Sequence, residues 1–210
     1  MREKNVSEKP NDLAKKSSGN RAKTDVFALC KTAVLAALLA VLSQISIPLP
    51  SGVPITLQTF AVAFGGFLFG WLGVVSVLVY LCVGALGAPV FASFKGGVAA
   101  FAGLTGGFLL GFLPFSFCCA VGKNKSAAFN ILLGIAGVLL CHVAGVVQYV
   151  LLSGVNLWQG FLTVSFLYIP KDVLSVIAAY FCAKAVEKAL LKNNVKTDYV
   201  ILKSRRSKKQ

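Results

Sequence analysis

The residues best suited to chemistry lie in one apolar stretch, Phe161-Leu-Thr-Val-Ser-Phe-Leu-Tyr-Ile-Pro-Lys-Asp-Val-Leu-Ser-Val-Ile-Ala-Ala-Tyr180. Asp172 is the sole acidic residue between Asp25 and Glu187, and Lys171 precedes it directly. A carboxylate at membrane depth is costly, so it faces a bundle interior or a polar cavity rather than lipid. Its chemistry there would be that of an acceptor, taking N–H donors in charge-assisted hydrogen bonds. Two structural roles compete: an ion pair with Lys171, and a helix N-cap just after Pro170. His142 is the only histidine and shares a helix face with Gly145 and Tyr149, with Gln148 adjacent. Interhelical hydrogen bonding is its expected role, ahead of catalysis.

Other chemistries lack their residues. No Gly-x-x-x-x-Gly-Lys-Ser/Thr phosphate loop occurs, so ATP hydrolysis by that route is excluded. No His-Glu-x-x-His zinc site occurs, and no Ser/Lys or Asp/Asp pair argues for an intramembrane protease. An enzyme, a metal centre and a bound cofactor are not expected. Cys30, Cys82, Cys118, Cys119, Cys141 and Cys182 have no metal-like spacing and lie in or beside apolar runs, so buried free thiols are expected rather than disulfides.

The elements that position these residues must be membrane helices. The chain has 210 residues, 57% of them hydrophobic and 13% charged, too few charges to cover a soluble surface. The net charge of +14 would suggest nucleic acid in a soluble protein, but here it gathers at the ends. A polar arm, 1–25, and a basic tail, 192–210, are expected on the cytoplasmic side, where they can touch anionic lipid. Nucleic-acid binding is not expected, and no cleavable signal peptide is expected before the first long apolar run.

Hydropathy divides the membrane domain, 26–191, into six spans at about 26–47, 56–70, 73–89, 104–121, 127–153 and 161–191, the last interrupted at Pro170. An even count places both termini on one side, with Lys123 and Lys125 beside them in a short loop. Lys95 and the Lys171–Asp172 pair then fall towards the opposite, outer end. Three ionisable groups gathered there suggest a solute site open to the exterior. Glycine crowds the middle third, which suits close helix packing and, around 91–107, a partly re-entrant loop. In the first span, Ala33 and Ala37, and in the next register Ala36 and Ala40, form small-residue strips. Ordinary alanine-rich helix and a docking strip for a membrane partner explain them equally well.

Three motifs carry a resemblance: Val53-Pro-Ile-Thr-Leu-Gln-Thr59, Gly84-Ala-Leu-Gly-Ala-Pro-Val-Phe-Ala92 and Gly103-Leu-Thr-Gly-Gly-Phe-Leu-Leu-Gly-Phe112. Together they closely resemble the BioY family, the biotin-binding S components of energy-coupling factor (ECF) transporters. The similarity runs over roughly 26–184, and the tails fall outside it. It implies an all-α bundle of six transmembrane helices in the plasma membrane that captures biotin from outside. It also implies partners: a transmembrane coupling protein, docked on the alanine strip, and two cytosolic ATPases.

The resemblance further implies a ligand site around Asp172. The family pattern on the sixth helix is Pro-x-Asp-x-x-Lys; Pro170, Lys171 and Asp172 follow it, but Ser175 stands where lysine is expected. Lys95 is the first candidate to take that lysine's place. Lys171 points about 100° away from Asp172 around an ideal helix unless the Pro170 region is unwound, and Ser175 itself offers a neutral hydrogen bond. Ser93, Thr56 and Gln58 are expected polar contacts, and Phe91 and Tyr168 are expected to pack against the ligand's rings. Leu104 replaces a proline common in the family. Ser175 keeps one alternative open, a relative serving dethiobiotin or another small carboxylated vitamin; a membrane scaffold that binds no solute is a separate alternative of a different class.

Overall fold

The computed structural model describes residues 10–123 and 125–192. The start of the expected polar arm and the basic tail beyond Lys192 lie outside the described residues. In chain order the elements are α1 (Pro10–Gln44), β1 (Ser46–Ile47), β2 (Ile55–Thr56), α2 (Gln58–Phe69), α3 (Trp71–Ala85), α4 (Ala99–Ala102), α5 (Gly106–Gly122), α6 (Ala127–Ser153), α7 (Leu157–Phe161) and α8 (Ile169–Lys192). The six longer helices, α1, α2, α3, α5, α6 and α8, form an all-α bundle. The short elements lie in the connections, where β1 and β2 pair antiparallel with Ser46 opposite Thr56.

Local sequence explains several boundaries. Ser126 caps α6 by accepting from the Phe129 N–H at 3.4 Å, and Gly154 ends it in the left-handed conformation at φ 68°. Two stretches, Val26–Gln44 and Ala127–Ser153, are each long and apolar enough to cross a membrane. A third span arises if Leu157–Phe166 and Ile169–Lys192, bent by 41°, count as one. The helices α2, α3 and α5 are apolar but shorter, at 12, 15 and 17 residues. At 1.5 Å per residue α2 is about 18 Å long, less than a bilayer core, so it depends on its neighbours. It has them: α2 is central and touches α1, α3, α5, α6 and α8.

Glycine sets the closest approaches. A Cβ on Gly111 of α5 would lie 2.8 Å from the Cys141 Cα of α6, and one on Gly137 of α6 would lie 3.1 Å from the Phe115 Cα of α5. Side chains larger than hydrogen would push these two helices apart, so the glycine crowding serves packing here.

One expectation holds in refined form and one needs correction. The sixth span is interrupted close to Pro170 as expected: Leu157–Phe166 and Ile169–Lys192 are bent by 41°, with a π-helical stretch, Leu162–Phe166, before the bend and Pro170 in the first turn of α8. Proline is tolerated there because its missing N–H has no helical acceptor. The six cysteines are all free, but only Cys119 and Cys141 are buried, with Cys118 intermediate; Cys30, Cys82 and Cys182 are exposed on helix flanks. A thiol is a small, weakly polar group that an apolar surface tolerates.

Candidate functional site

The chain direction puts the β1–β2 hairpin and the starts of α2, α5 and α8 at one end of the bundle, beneath the 86–105 connection. Between them is a pocket with about 780 Å³ between its walls, including the open space at its mouth. Apolar walls come from Phe91, Phe108, Leu109, Phe112, Phe115 and Val138. Its polar groups are Thr56, Gln58, Thr59, Lys95, Thr105, His142, Tyr168, Lys171 and Asp172. A mainly apolar cleft with a few convergent polar groups is the usual form of a small-molecule site.

Asp172 sits in the first turn of α8, 6% exposed. That position favours an anion, because unpaired helix N–H groups point towards it. Its Oδ2 lies 3.1 Å from His142 Nε2, and its Oδ1 forms an ion pair with Lys171. Oδ1 makes no hydrogen bond of good geometry with any described residue, so it retains acceptor capacity. Lys171 also donates to the Thr56 carbonyl at 2.8 Å. That bond ties α8 to β2 and aims the ammonium across the pocket's edge.

Lys171, not Lys95, therefore balances the carboxylate. The wheel angle separating neighbouring residues is bridged by the long flexible stem of lysine, and the Thr56 carbonyl holds its tip. Lys95 is exposed and lines the pocket and an adjoining open cleft, and its ammonium has no hydrogen bond or ion pair with the described residues. It is an uncommitted cation at the mouth. Ser175, one turn beyond Asp172, is buried but lies outside the pocket lining, because that face of α8 packs along α2.

The remaining expected residues divide. Thr56, Gln58, Phe91 and Tyr168 line the pocket, although their polar groups are partly committed. The Thr56 hydroxyl donates to Gln58 Oε1 at 3.1 Å, Gln58 Nε2 donates to the Tyr80 hydroxyl at 2.7 Å, and that hydroxyl donates to the Val90 carbonyl at 3.1 Å. This chain fastens the segment leading to Phe91 onto α2 and α3. Phe91 is wedged edge-on between Tyr80 and Phe101, over Gly84. The Tyr168 hydroxyl donates to the Val53 carbonyl at 2.5 Å and holds the hairpin against the start of α8.

Ser93 does not line the pocket. Ser93 and Phe94 have φ of 59° and 56°, a left-handed turn that sends Ser93 towards β1, where its oxygen lies 3.4 Å from the Ser46 hydroxyl. Of the alanine strips, Ala33 and Ala37 are exposed, whereas Ala36 and Ala40 pack against the core. Only the first register presents a free face.

His142, Thr59 and Ser165 were missed as parts of the site. A lone histidine inside an apolar span was the available signal for His142, and interhelical bonding is indeed what it does. Its other nitrogen, Nδ1, lies 3.0 Å from the Ser165 hydroxyl of the π-helical stretch. The Ser165–His142–Asp172 connectivity resembles a hydrolytic triad only on paper. Ser165 is fully buried and does not line the pocket, so its hydroxyl cannot meet a substrate. Among the described residues no group of His, Cys, Asp and Glu could hold a metal ion.

Comparison with known proteins agrees with this architecture. The pattern of the BioY family matches residues 14–192. The biotin transporter BioY of Thermotoga maritima is 35% identical over 76% of this chain and 95% of its own length. The probable biotin transporter BioY of Pyrococcus horikoshii is 33% identical over 74% of this chain and 93% of its own. A crystal structure of the S-component for biotin from an ECF-type ABC transporter superimposes with a TM-score of 0.71, at 23% identity, covering 79% of this chain and 93% of that one. With the fold of an S component and a family pattern running from α1 to α8, the chain belongs to the BioY family.

Proposed function

We propose that this chain is the substrate-binding membrane subunit of an ECF-type vitamin transporter and that its ligand is biotin. The observation that carries the reading is a buried carboxylate with spare acceptor capacity in a largely apolar pocket. Biotin offers two ureido N–H donors, an apolar bicyclic ring and a valerate tail ending in a carboxylate. A ureido N–H given to Asp172 Oδ1 forms a charge-assisted bond worth about 1.5–3 kcal/mol. The ring packs between Phe91 and Tyr168, and the tail runs to the mouth, where Lys95 meets its carboxylate.

Transport requires partners, since the chain has no phosphate loop of its own. A transmembrane coupling protein docking on Ala33 and Ala37, and two cytosolic ATPases, would supply the energy. The pocket end faces the exterior, and both tails lie in the cytoplasm. Lys123 and Lys125 support this orientation, because they occupy the α5–α6 connection at the end opposite the pocket.

Ser175 in place of the family's lysine favours a second reading, a changed ligand such as dethiobiotin. Equilibrium binding of labelled biotin to the purified protein in nanodiscs, with unlabelled dethiobiotin as competitor, tests both. Tight biotin binding with weaker competition supports the assignment. A folded protein that binds no biotin overturns it, and stronger competition by dethiobiotin reassigns the ligand.

A further inference from the structure

His142 is 5% exposed, yet both of its ring nitrogens are engaged. A carboxylate can only accept, so the nitrogen facing Asp172 Oδ2, Nε2, must carry a proton. In a neutral imidazole Nδ1 is then an acceptor, and the Ser165 hydroxyl is the group that donates to it. The Phe108 ring stands edge-on to the imidazole, with centroids 5.7 Å apart, and lines the pocket beside it. The polar chain thus runs from Ser165, outside the pocket lining, through His142 to the carboxylate, and the last two line the pocket.

We propose that His142 is a positioning residue: held as the Nε2–H tautomer by the Asp172 carboxylate and backed by Ser165, it fixes Asp172 Oδ2 and leaves Oδ1, beside Lys171, as the oxygen offered to the ligand. For the ligand's identity this rests on the biotin reading above; the tautomer and its tie to Asp172 do not. The arrangement joins three elements, because His142 is on α6, Ser165 in the π-helical stretch and Asp172 on α8. It also gives the π-helical register a purpose, since Ser165 lies seven residues before Asp172 and reaches the same ring from the other side. A carboxylate gripped at Oδ2 keeps Oδ1 in one orientation, beside Lys171 in the pocket lining.

The chain's single histidine makes the test unambiguous. Nitrogen-15 NMR of histidine-labelled protein at neutral pH should show the Nε2–H tautomer; Ser165→Ala should keep it, whereas Asp172→Asn, whose amide can donate as well as accept, should turn it into a mixture of tautomers. An Nδ1–H tautomer or an imidazolium in the unmodified protein would overturn the proposal. In biotin titrations, His142→Leu should lose about tenfold to a hundredfold in affinity, the cost of one hydrogen bond to a charged group. His142→Gln, whose amide N–H can reach Oδ2, should stay within about threefold of the unmodified protein on the same reasoning. Equal loss in the Gln and Leu variants would mean that the ring only fills space, and would also overturn the proposal. Should His142→Leu fail to fold, the tautomer and its response to Asp172→Asn still decide. If the unmodified protein binds no biotin but shows the expected tautomer, the biotin reading fails while the positioning of Asp172 stands.

Discussion

Along the α5–α6 seam, helices meet because side chains are missing. Gly107 lies against the Ala144 backbone, Gly111 against Cys141 and Gly137 against Phe115. Around Asp172, elements meet because side chains reach for one another: Lys171 from α8 itself, His142 from α6 and, behind it, Ser165. The seam depends on volume, through non-directional contacts that fade quickly with distance. The cluster depends on polarity and direction, since an unpaired buried charge is costly and a paired one is specific. The two regions should therefore fail in different ways, stability at the seam and affinity at the cluster.

The largest effect is expected at the seam. Gly111→Leu would place a side chain into the Cys141 backbone and cost at least about 1–3 kcal/mol as overpacking. Thermal unfolding in detergent should fall sharply, with ligand binding lost only alongside the fold. An unchanged unfolding temperature would show that the helices can separate freely, and the contrast would collapse. Next comes Asp172→Asn, which keeps the volume and removes the charge. Its biotin affinity should fall about tenfold to a hundredfold, with the unfolding temperature near that of the unmodified protein. A large drop in stability instead would make the carboxylate structural.

Lys171→Ala should have a mixed signature. The buried carboxylate keeps His142 but loses its cation, so stability should fall by about 1 kcal/mol, a discounted figure because Lys171 is partly exposed. Affinity should fall less than for Asp172→Asn. Lys95→Ala is smaller again: an exposed cation at the mouth is worth at most about 1 kcal/mol. It should weaken biotin a few-fold and leave an uncharged biotin amide unaffected. Equal losses for acid and amide would remove Lys95 from carboxylate recognition. Smallest is Ala37→Leu on the exposed strip, which should leave purified-protein binding unchanged while reducing co-purification with a coupling protein. Loss of binding there would assign the strip to the bundle's own packing.

The helices were largely legible because their stop signals are local. The α6 bounds follow from Ser126 and Gly154, and α2 and α5 begin within two residues of expectation, after Thr56 and Leu104. Asp172 stood out for an equally local reason, a lone acid in an apolar run. Its surroundings did not. The helical wheel treats Lys171 as a direction and ignores a four-carbon stem that bends back to the neighbouring carboxylate. His142 and Asp172 are thirty residues apart, and their contact follows from how α6 and α8 cross. Ser93 was misplaced because a positive φ in a non-glycine residue has no sequence signature. The two registers of the alanine strip look alike in sequence, and only packing separates Ala33 and Ala37 from Ala36 and Ala40.

A structure of the protein with biotin bound tests the central claim most directly. The expected result is a ureido nitrogen about 2.7–3.2 Å from the Asp172 carboxylate, the range of a normal hydrogen bond, with the valerate carboxylate directed to Lys95. Biotin lying in the opposite sense, its carboxylate on Lys171 and its ureido ring at the mouth, would contradict the account.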